Sequence, residues 1–167
     1  MIARLSEAYR STGADPPFGD PRRAHGVAFE GYYWRVTDAA AGRVVIVLCG
    51  VCRDAAGTWA IVALAAHPEG LVRSRLVPVA SVDPRGPGVT AGDVLTGSAA
   101  ALHVDLGADA GLDLELADPL SWPPRRAFGG IGPAQIVPGL PQYWHPHLLG
   151  ARVRGEARLG GAAVDLG

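Results

Sequence analysis

The feature that most constrains the fold of this chain is a succession of short β-forming segments separated by turn signals, at intervals of about 8–12 residues. These segments are rich in β-branched and aromatic residues or alternate apolar with polar side chains. They cover residues 27–37, 43–53, 58–66, 71–82, 99–105, 112–116, 151–159 and 162–166. Outside residues 2–9 no segment shows the 3.6-residue period of a helix. The sequence therefore predicts an all-β, antiparallel sandwich or barrel of about eight or nine strands, with under about a tenth of the chain in helix.

Turn signals and loops divide the segments from one another. Asp54–Gly57 is typical of a hairpin turn, and Pro78 indicates either an interruption within the fourth segment or an edge strand. Residues 83–92 and 119–141 are dense in glycine and proline and are predicted to be loops. Prolines also prevent a helix at residues 14–23, so we expect an irregular lead-in over 1–25 and a single β-domain over 26–167.

Composition excludes several classes of partner. A net charge of −1 gives no basic surface for nucleic acid, and the apolar run 44–52 is too short to span a membrane. The hydrophobic fraction of 49% is ample for a core. Two cysteines cannot form a disulfide framework, and the N-terminus shows no signal-peptide pattern. We therefore expect a cytoplasmic protein.

Aromatic residues make up only 7% of the chain, yet two clusters, 29–34 and 142–147, hold three of the four tyrosines and half of the four tryptophans. Such a concentration indicates a pocket. In an extended strand Glu30 shares a face with Tyr32 and Trp34, so its carboxyl could be a desolvated proton donor. The alternatives are a carboxylate paired with an arginine, such as Arg35 or Arg152, or a residue on the rim.

The second cluster contains two histidines on either side of Pro146, which favours an extended backbone and places His145, His147 and Tyr143 on one side. The histidines could bind a metal only with a third ligand, such as His67, His103 or Glu30. They could also act as acid, base or hydrogen-bond donor toward a ligand, or satisfy loop carbonyls. We expect no metal and no cofactor. The candidate catalytic residues are Glu30, Tyr143, His145 and His147. The candidate ligand-binding wall is Tyr32, Trp34, Trp59 and Trp144, and the alternative for these four aromatics is ordinary core packing.

Other apparent motifs do not carry chemistry. Cys49 and Cys52 have redox-motif spacing, but they lie in an apolar strand segment that directs their sulfurs to opposite faces. We interpret both as packing residues. Gly129–Gly132 lacks the Lys-Ser/Thr ending of a phosphate loop, and the chain has no G-x-S-x-G nucleophile motif.

Two stretches resemble a known family. Phe29–Tyr33 looks like the FEGWY-type start of tocopherol cyclases. Arg125–Gly130, followed by Gln142–His147, resembles a later segment of the same proteins and of the related carotenoid hydratases of the hydroxyneurosporene-synthase type. The likeness runs from about residue 16 to the C-terminus and corresponds to the N-terminal half of family members. It implies a lipocalin-like fold, in which two barrel-like halves pack together, and isoprenoid substrates.

From this resemblance we expect a protein that binds an apolar isoprenoid or polyketide-like molecule. The reactions it implies are cyclisation, isomerisation or hydration started by protonation of a carbon–carbon double bond. Two alternatives remain open: a carrier without catalytic activity, and a β-domain that assembles with a partner chain. The chain ends at Gly167, where a further family motif would begin. The resemblance therefore leaves three expectations open: a relative that functions alone, a shortened piece of a longer protein, or a subunit whose second half comes from a homodimer or a partner subunit.

Overall fold

The computed structural model describes residues 29–83, 87–121, 144 and 146–167. Of these residues 73% lie in strands and none lies in a helix, which confirms the all-β prediction. The predicted lead-in and most of the predicted loop at 119–141 lie outside the described residues.

Every strand pairs antiparallel with its neighbour in the sequence, within one of two sheets. Sheet A contains four long strands in the order β1-β2-β3-β4. They are β1 (Phe29–Asp38), β2 (Arg43–Asp54), β3 (Gly57–His67) and β4 (Leu71–Val77). The predicted hairpin turn is present, because Asp54 and Gly57 are register partners at the β2–β3 junction.

Sheet B contains the remaining seven strands in sequence order, from β5 at one edge to β11 at the other. They are β5 (Ala80–Val82), β6 (Val89–Ala91), β7 (Leu95–Gly97), β8 (Ala101–Asp105), β9 (Ala110–Ser121), β10 (Leu148–Leu159) and β11 (Ala162–Asp165). As Pro78 predicted, the fourth segment is interrupted: the chain leaves sheet A after Val77 and joins sheet B at Ala80.

The described residues contain eleven strands rather than eight or nine. The additional strands are β6 and β7, each of three residues, and β6 lies inside the predicted loop 83–92. Segments this short are too brief to show an alternating pattern. Strand β9 is also longer than its alternating stretch 112–116, and its register with β10 shifts between Arg152 and Leu148.

The core lies between the two sheets. It consists of the inward rows of β2 and β3, represented by Val47 and Leu64, against inward residues of sheet B such as Leu95, Leu102 and Leu112. No strand hydrogen-bonds across the sheets in the described part of the chain, so the sheets form a sandwich or half-barrel and do not close into one barrel. We call the core side of each sheet its inner face and the opposite side its outer face. The described segments include no helix of the length and apolar character needed to cross a membrane.

Candidate functional site

The predicted face of β1 is present in the structure. Glu30, Tyr32 and Trp34 alternate with exposed residues and lie on the inner face of sheet A. The Tyr32 hydroxyl donates a hydrogen bond of 2.8 Å to Glu30 Oε1. The Tyr32 and Trp34 rings are stacked, with centroids 6.1 Å apart and planes inclined by 17°. We call these three residues the β1 cluster.

The electrostatics of the β1 cluster keep the phenol protonated. Burial, followed by the charge of Glu30 and the hydrogen bond to it, raises the pKa of Tyr32 far above its ordinary value, and the nearby Arg53 only partly opposes this. Tyr32 is therefore a hydrogen-bond donor at any physiological pH. Its donation to Glu30 orients one carboxylate oxygen on the inner face of a sheet whose neighbouring rows are valine, leucine and alanine.

Trp34 connects the β1 cluster to sheet B. A Cβ atom placed on Gly97 of β7 would lie 2.7 Å from Trp34 Cζ2, so the indole packs directly against the glycine backbone. Strand β1 is an edge strand of sheet A. The cluster thus lies where the edge of sheet A meets the interior of sheet B.

Trp59 lies on the other side of the sheet. Its register partner on β2 is Cys52, on the outer face, whereas Trp34 is paired with Val47 on the inner face. The Trp59 indole donates a 2.9 Å hydrogen bond to Asp54 Oδ2 across the hairpin. Trp59 therefore cannot form one ligand-binding wall with Tyr32 and Trp34, because alternate residues of a strand point to opposite faces of the sheet.

The second aromatic cluster is only partly described. Tyr143 and His145 lie outside the described residues. Trp144 is 55% exposed, and His147 is half-buried just before β10, where burial lowers its pKa and favours the neutral imidazole. A common pocket for Glu30 with His145 or His147 stays a prediction.

The cysteines behave as packing residues. Cys49 is buried on the inner face and Cys52 is half-buried on the outer face, both as free thiols. Burial raises the pKa of Cys49 to about 12, which leaves it without a reactive thiolate at neutral pH.

The outer face of sheet B carries a charged groove that the sequence analysis did not single out. Its volume is about 620 Å³, and its lining includes His103, Asp113, Arg154 and Arg158. His103 Nδ1 lies 2.5 Å from Asp113 Oδ1, and Arg158 donates to Asp105 at 3.0 Å. The sequence contained a signal for this groove, because residues 101–105 and 112–116 alternate and place His103, Asp105 and Asp113 on one face. Among the described residues no three histidine, cysteine or carboxylate side chains are arranged to hold a metal ion.

Fold and site together define an antiparallel β-sandwich with an acid–phenol–indole cluster on an edge strand. Comparisons with protein-family models, with curated proteins and with solved structures found no match for this chain.

Proposed function

We propose that this chain is a binding domain for an apolar small molecule of the isoprenoid or polyketide-like class, and that the ligand contacts the β1 cluster. The observation that carries the proposal is the hydrogen-bonded Glu30–Tyr32 pair stacked on Trp34, beside buried inner rows of valine, leucine and alanine. Apolar walls with a few fixed polar groups are typical of small-molecule sites. The class of ligand follows from the family resemblance of Phe29–Tyr33. A cytoplasmic location belongs to the same proposal, consistent with the two free thiols.

The charged groove on sheet B is a poorer site for such a ligand. Its ionic side chains are about half exposed and pair with one another, as His103 does with Asp113 and Arg158 with Asp105. An apolar molecule placed there would remove water from these groups without replacing its hydrogen bonds. The β1 cluster has fewer polar groups, and its carboxylate already has a donor in Tyr32.

The chemistry available at the β1 cluster is proton donation. A protonated Glu30 carboxyl would transfer its proton to a carbon–carbon double bond and leave a carbocation. The faces of Tyr32 and Trp34 would stabilise that charge by cation–π contact. Ring closure onto the carbocation followed by loss of a proton to the Glu30 carboxylate would complete cyclisation, and direct loss of a neighbouring proton to that carboxylate would complete isomerisation. Addition of water followed by loss of one of its protons to the same carboxylate would complete hydration. A carrier would use the same wall without the proton transfer.

The test of binding is a titration of the purified protein with geranylgeraniol, followed by native mass spectrometry. Trp34→Ala removes the inner-face indole and is expected to weaken binding at least about tenfold, a loss of about 1.4 kcal/mol. Trp59→Ala is the matched control, because it removes an indole from the opposite face of the same sheet, and is expected to change affinity less than about twofold. Equal losses in both variants, or no binding by the wild type, would overturn the proposal.

The test of catalysis uses Glu30→Gln, which keeps the volume and an acceptor oxygen for the Tyr32 hydroxyl. After incubation with prenylated substrates, isomeric or water-added product is expected to fall by at least about a hundredfold, the scale for losing an acid/base group. Ligand affinity is expected to change little. Unchanged turnover in Glu30→Gln would place the proton donor elsewhere, whereas binding without product in the wild type would identify a carrier.

A further inference from the structure

Sheet A carries large apolar side chains on its outer face as well as in the buried rows of its inner face. The outer face carries six large hydrophobic side chains that are between 42% and 67% exposed, Phe29, Tyr33, Leu48, Ile61, Val72 and Leu76. We call the outward rows of β1–β4 the apolar face. Soluble proteins rarely leave a contiguous apolar surface this extensive in contact with water.

The outer face of sheet B, which is charged, is the natural comparison for the apolar face. On sheet B the outward row of β10 is Arg152, Arg154, Glu156 and Arg158, and the register partner of Arg154 on β9 is Glu115. The apolar face differs from it in every strand, and of its side chains only Arg35, on the edge strand β1, and Asp54, at the end of β2, carry a permanent charge. An apolar centre with charge confined to the rim is the anatomy of a protein interface.

The registers of β1–β4 make the apolar face complementary to itself. One row across the sheet is Tyr33, Leu48, Ala63 and Ser74, as successive register partners. A two-fold axis parallel to the strands, between β2 and β3, would place each residue of this row over its mirror position in a second copy. Leu48 would then face Ala63, and Tyr33 would face Ser74, so that each large side chain meets a small one.

The next row has the same property. It runs Arg35, Ile46, Ala65 and Val72. Under the same axis Ile46 of one copy faces Ala65 of the other, and Arg35 faces Val72 at the rim, where its guanidinium reaches water. At the centre of two adjacent rows, therefore, a large side chain of one copy faces an alanine of the other, which is the self-complementarity that an isologous interface requires.

The size of the apolar face is sufficient for a stable dimer. Four strands spaced about 4.8 Å apart, paired over roughly nine residues at about 3.3 Å each, cover about 600 Å². Two copies would bury about 1,200 Å², the lower limit of stable, specific interfaces. Face-to-face sheets of this kind pack about 10 Å apart. We propose that the apolar face binds a second copy of this chain, with the two-fold axis between β2 and β3.

The decisive experiment exchanges large and small positions without adding charge. Sedimentation equilibrium of the wild type is expected to give about twice the 17.3 kDa chain mass. Ala63→Leu puts two leucines opposite each other and is expected to raise the dimer dissociation constant at least about tenfold, the cost of overpacking. The double variant Leu48→Ala, Ala63→Leu exchanges the two positions and is expected to recover the wild-type constant within about threefold.

Controls separate loss of the dimer from loss of the fold. Val72→Glu, at a 67% exposed position of the apolar face, is expected to give a monomer with an unchanged far-ultraviolet circular dichroism spectrum. Leu120→Glu, at a 64% exposed position of sheet B, is expected to remain a dimer. Dimerisation lost equally in Leu120→Glu, or retained in both Val72→Glu and Ala63→Leu, would overturn the proposal.

A wild type that is monomeric at about 100 µM would also overturn the dimer proposal, because this concentration is well above the dissociation constant of a specific dimer. Two measurements would then identify what covers the apolar face. Association with phosphatidylcholine vesicles would identify a lipid surface. Protection of Tyr33 and Leu48 from hydroxyl-radical labelling in the monomer would show that another part of the same chain lies over them.

Discussion

Gly155, in the middle of β10, is the described glycine at which an added Cβ atom would make the shortest contact with its surroundings. Its φ of 143° lies outside the range that residues with a side chain adopt readily, and a Cβ there would lie 2.0 Å from the Asp113 carbonyl oxygen of β9. The strand can form here only because glycine has no Cβ. Gly150, in the same strand, has nothing within 4 Å of such an atom.

We predict that Gly155→Ala destabilises the protein by about 3 kcal/mol or more, because it combines backbone strain with displacement of β9. Gly150→Ala should change the free energy of unfolding by less than about 0.5 kcal/mol. Urea unfolding of the two variants measures both values. Equal effects would mean that β9 moves aside at little cost.

At the scale of the elements, the side chain of Asp54 stabilises the β2–β3 hairpin by accepting three hydrogen bonds. Asp54 accepts hydrogen bonds from the backbone N–H groups of Ala56 and Gly57 and from the Trp59 indole. The Trp59 bond is the largest cause of the lowered pKa of Asp54. The sequence predicted the turn from Asp54–Gly57, but it could not show that the carboxylate also binds an indole on the next strand.

The lowered pKa of Asp54 affects the stability of the fold in acid. A carboxyl whose pKa is lower in the folded than in the unfolded protein stabilises the fold above the unfolded value of 3.8, and this contribution is lost as pH falls through the folded pKa. We predict that the wild-type melting temperature decreases more between about pH 5 and pH 2 than that of Asp54→Asn, which keeps an acceptor oxygen but does not titrate. Differential scanning calorimetry over that range measures the two slopes, and parallel slopes would contradict the prediction.

Prediction of the strands from sequence succeeded where the alternating or β-branched pattern was long and failed where that pattern was short. Strands β2, β3 and β10 were located within about three residues of their observed ends, because eight or more alternating or β-branched residues give a clear pattern. Strand β6 was missed because its three residues lie between glycine- and proline-rich stretches. Their strand conformation comes from pairing with β5 and β7, which is a tertiary effect.

At the scale of the whole molecule, Trp34 is a point where the two sheets interlock. Its six-membered ring lies against Gly97, so that a Cβ on Gly97 would be 2.7 Å from Cζ2 and 2.8 Å from Cη2. The contact needs both the size of the indole and the absence of a side chain on β7.

We predict that Gly97→Ala destabilises the wild type by about 1–3 kcal/mol, the usual cost of overpacking. In a Trp34→Phe background the atoms that collide are absent, and Gly97→Ala should cost at least about 1 kcal/mol less. A double-mutant cycle from urea unfolding gives this coupling energy. Additive effects would show that the sheets separate slightly to accept the methyl group.

The sequence alone determined the fold class, the positions of β2, β3 and β10, and the shared face of Glu30, Tyr32 and Trp34. Each of these follows from the two-residue repeat of an extended chain, which is a local property. It also predicted that Cys49 and Cys52 lie on opposite faces, for the same reason. Only the tertiary structure decided that Trp59 lies on the opposite face from Trp34, that Trp34 packs against Gly97, and that large hydrophobic side chains stay exposed on the outer face of sheet A. These depend on which strands pair, in which register, and on which face of each sheet the other one packs. Such contacts join residues far apart in the chain, and no local pattern encodes them.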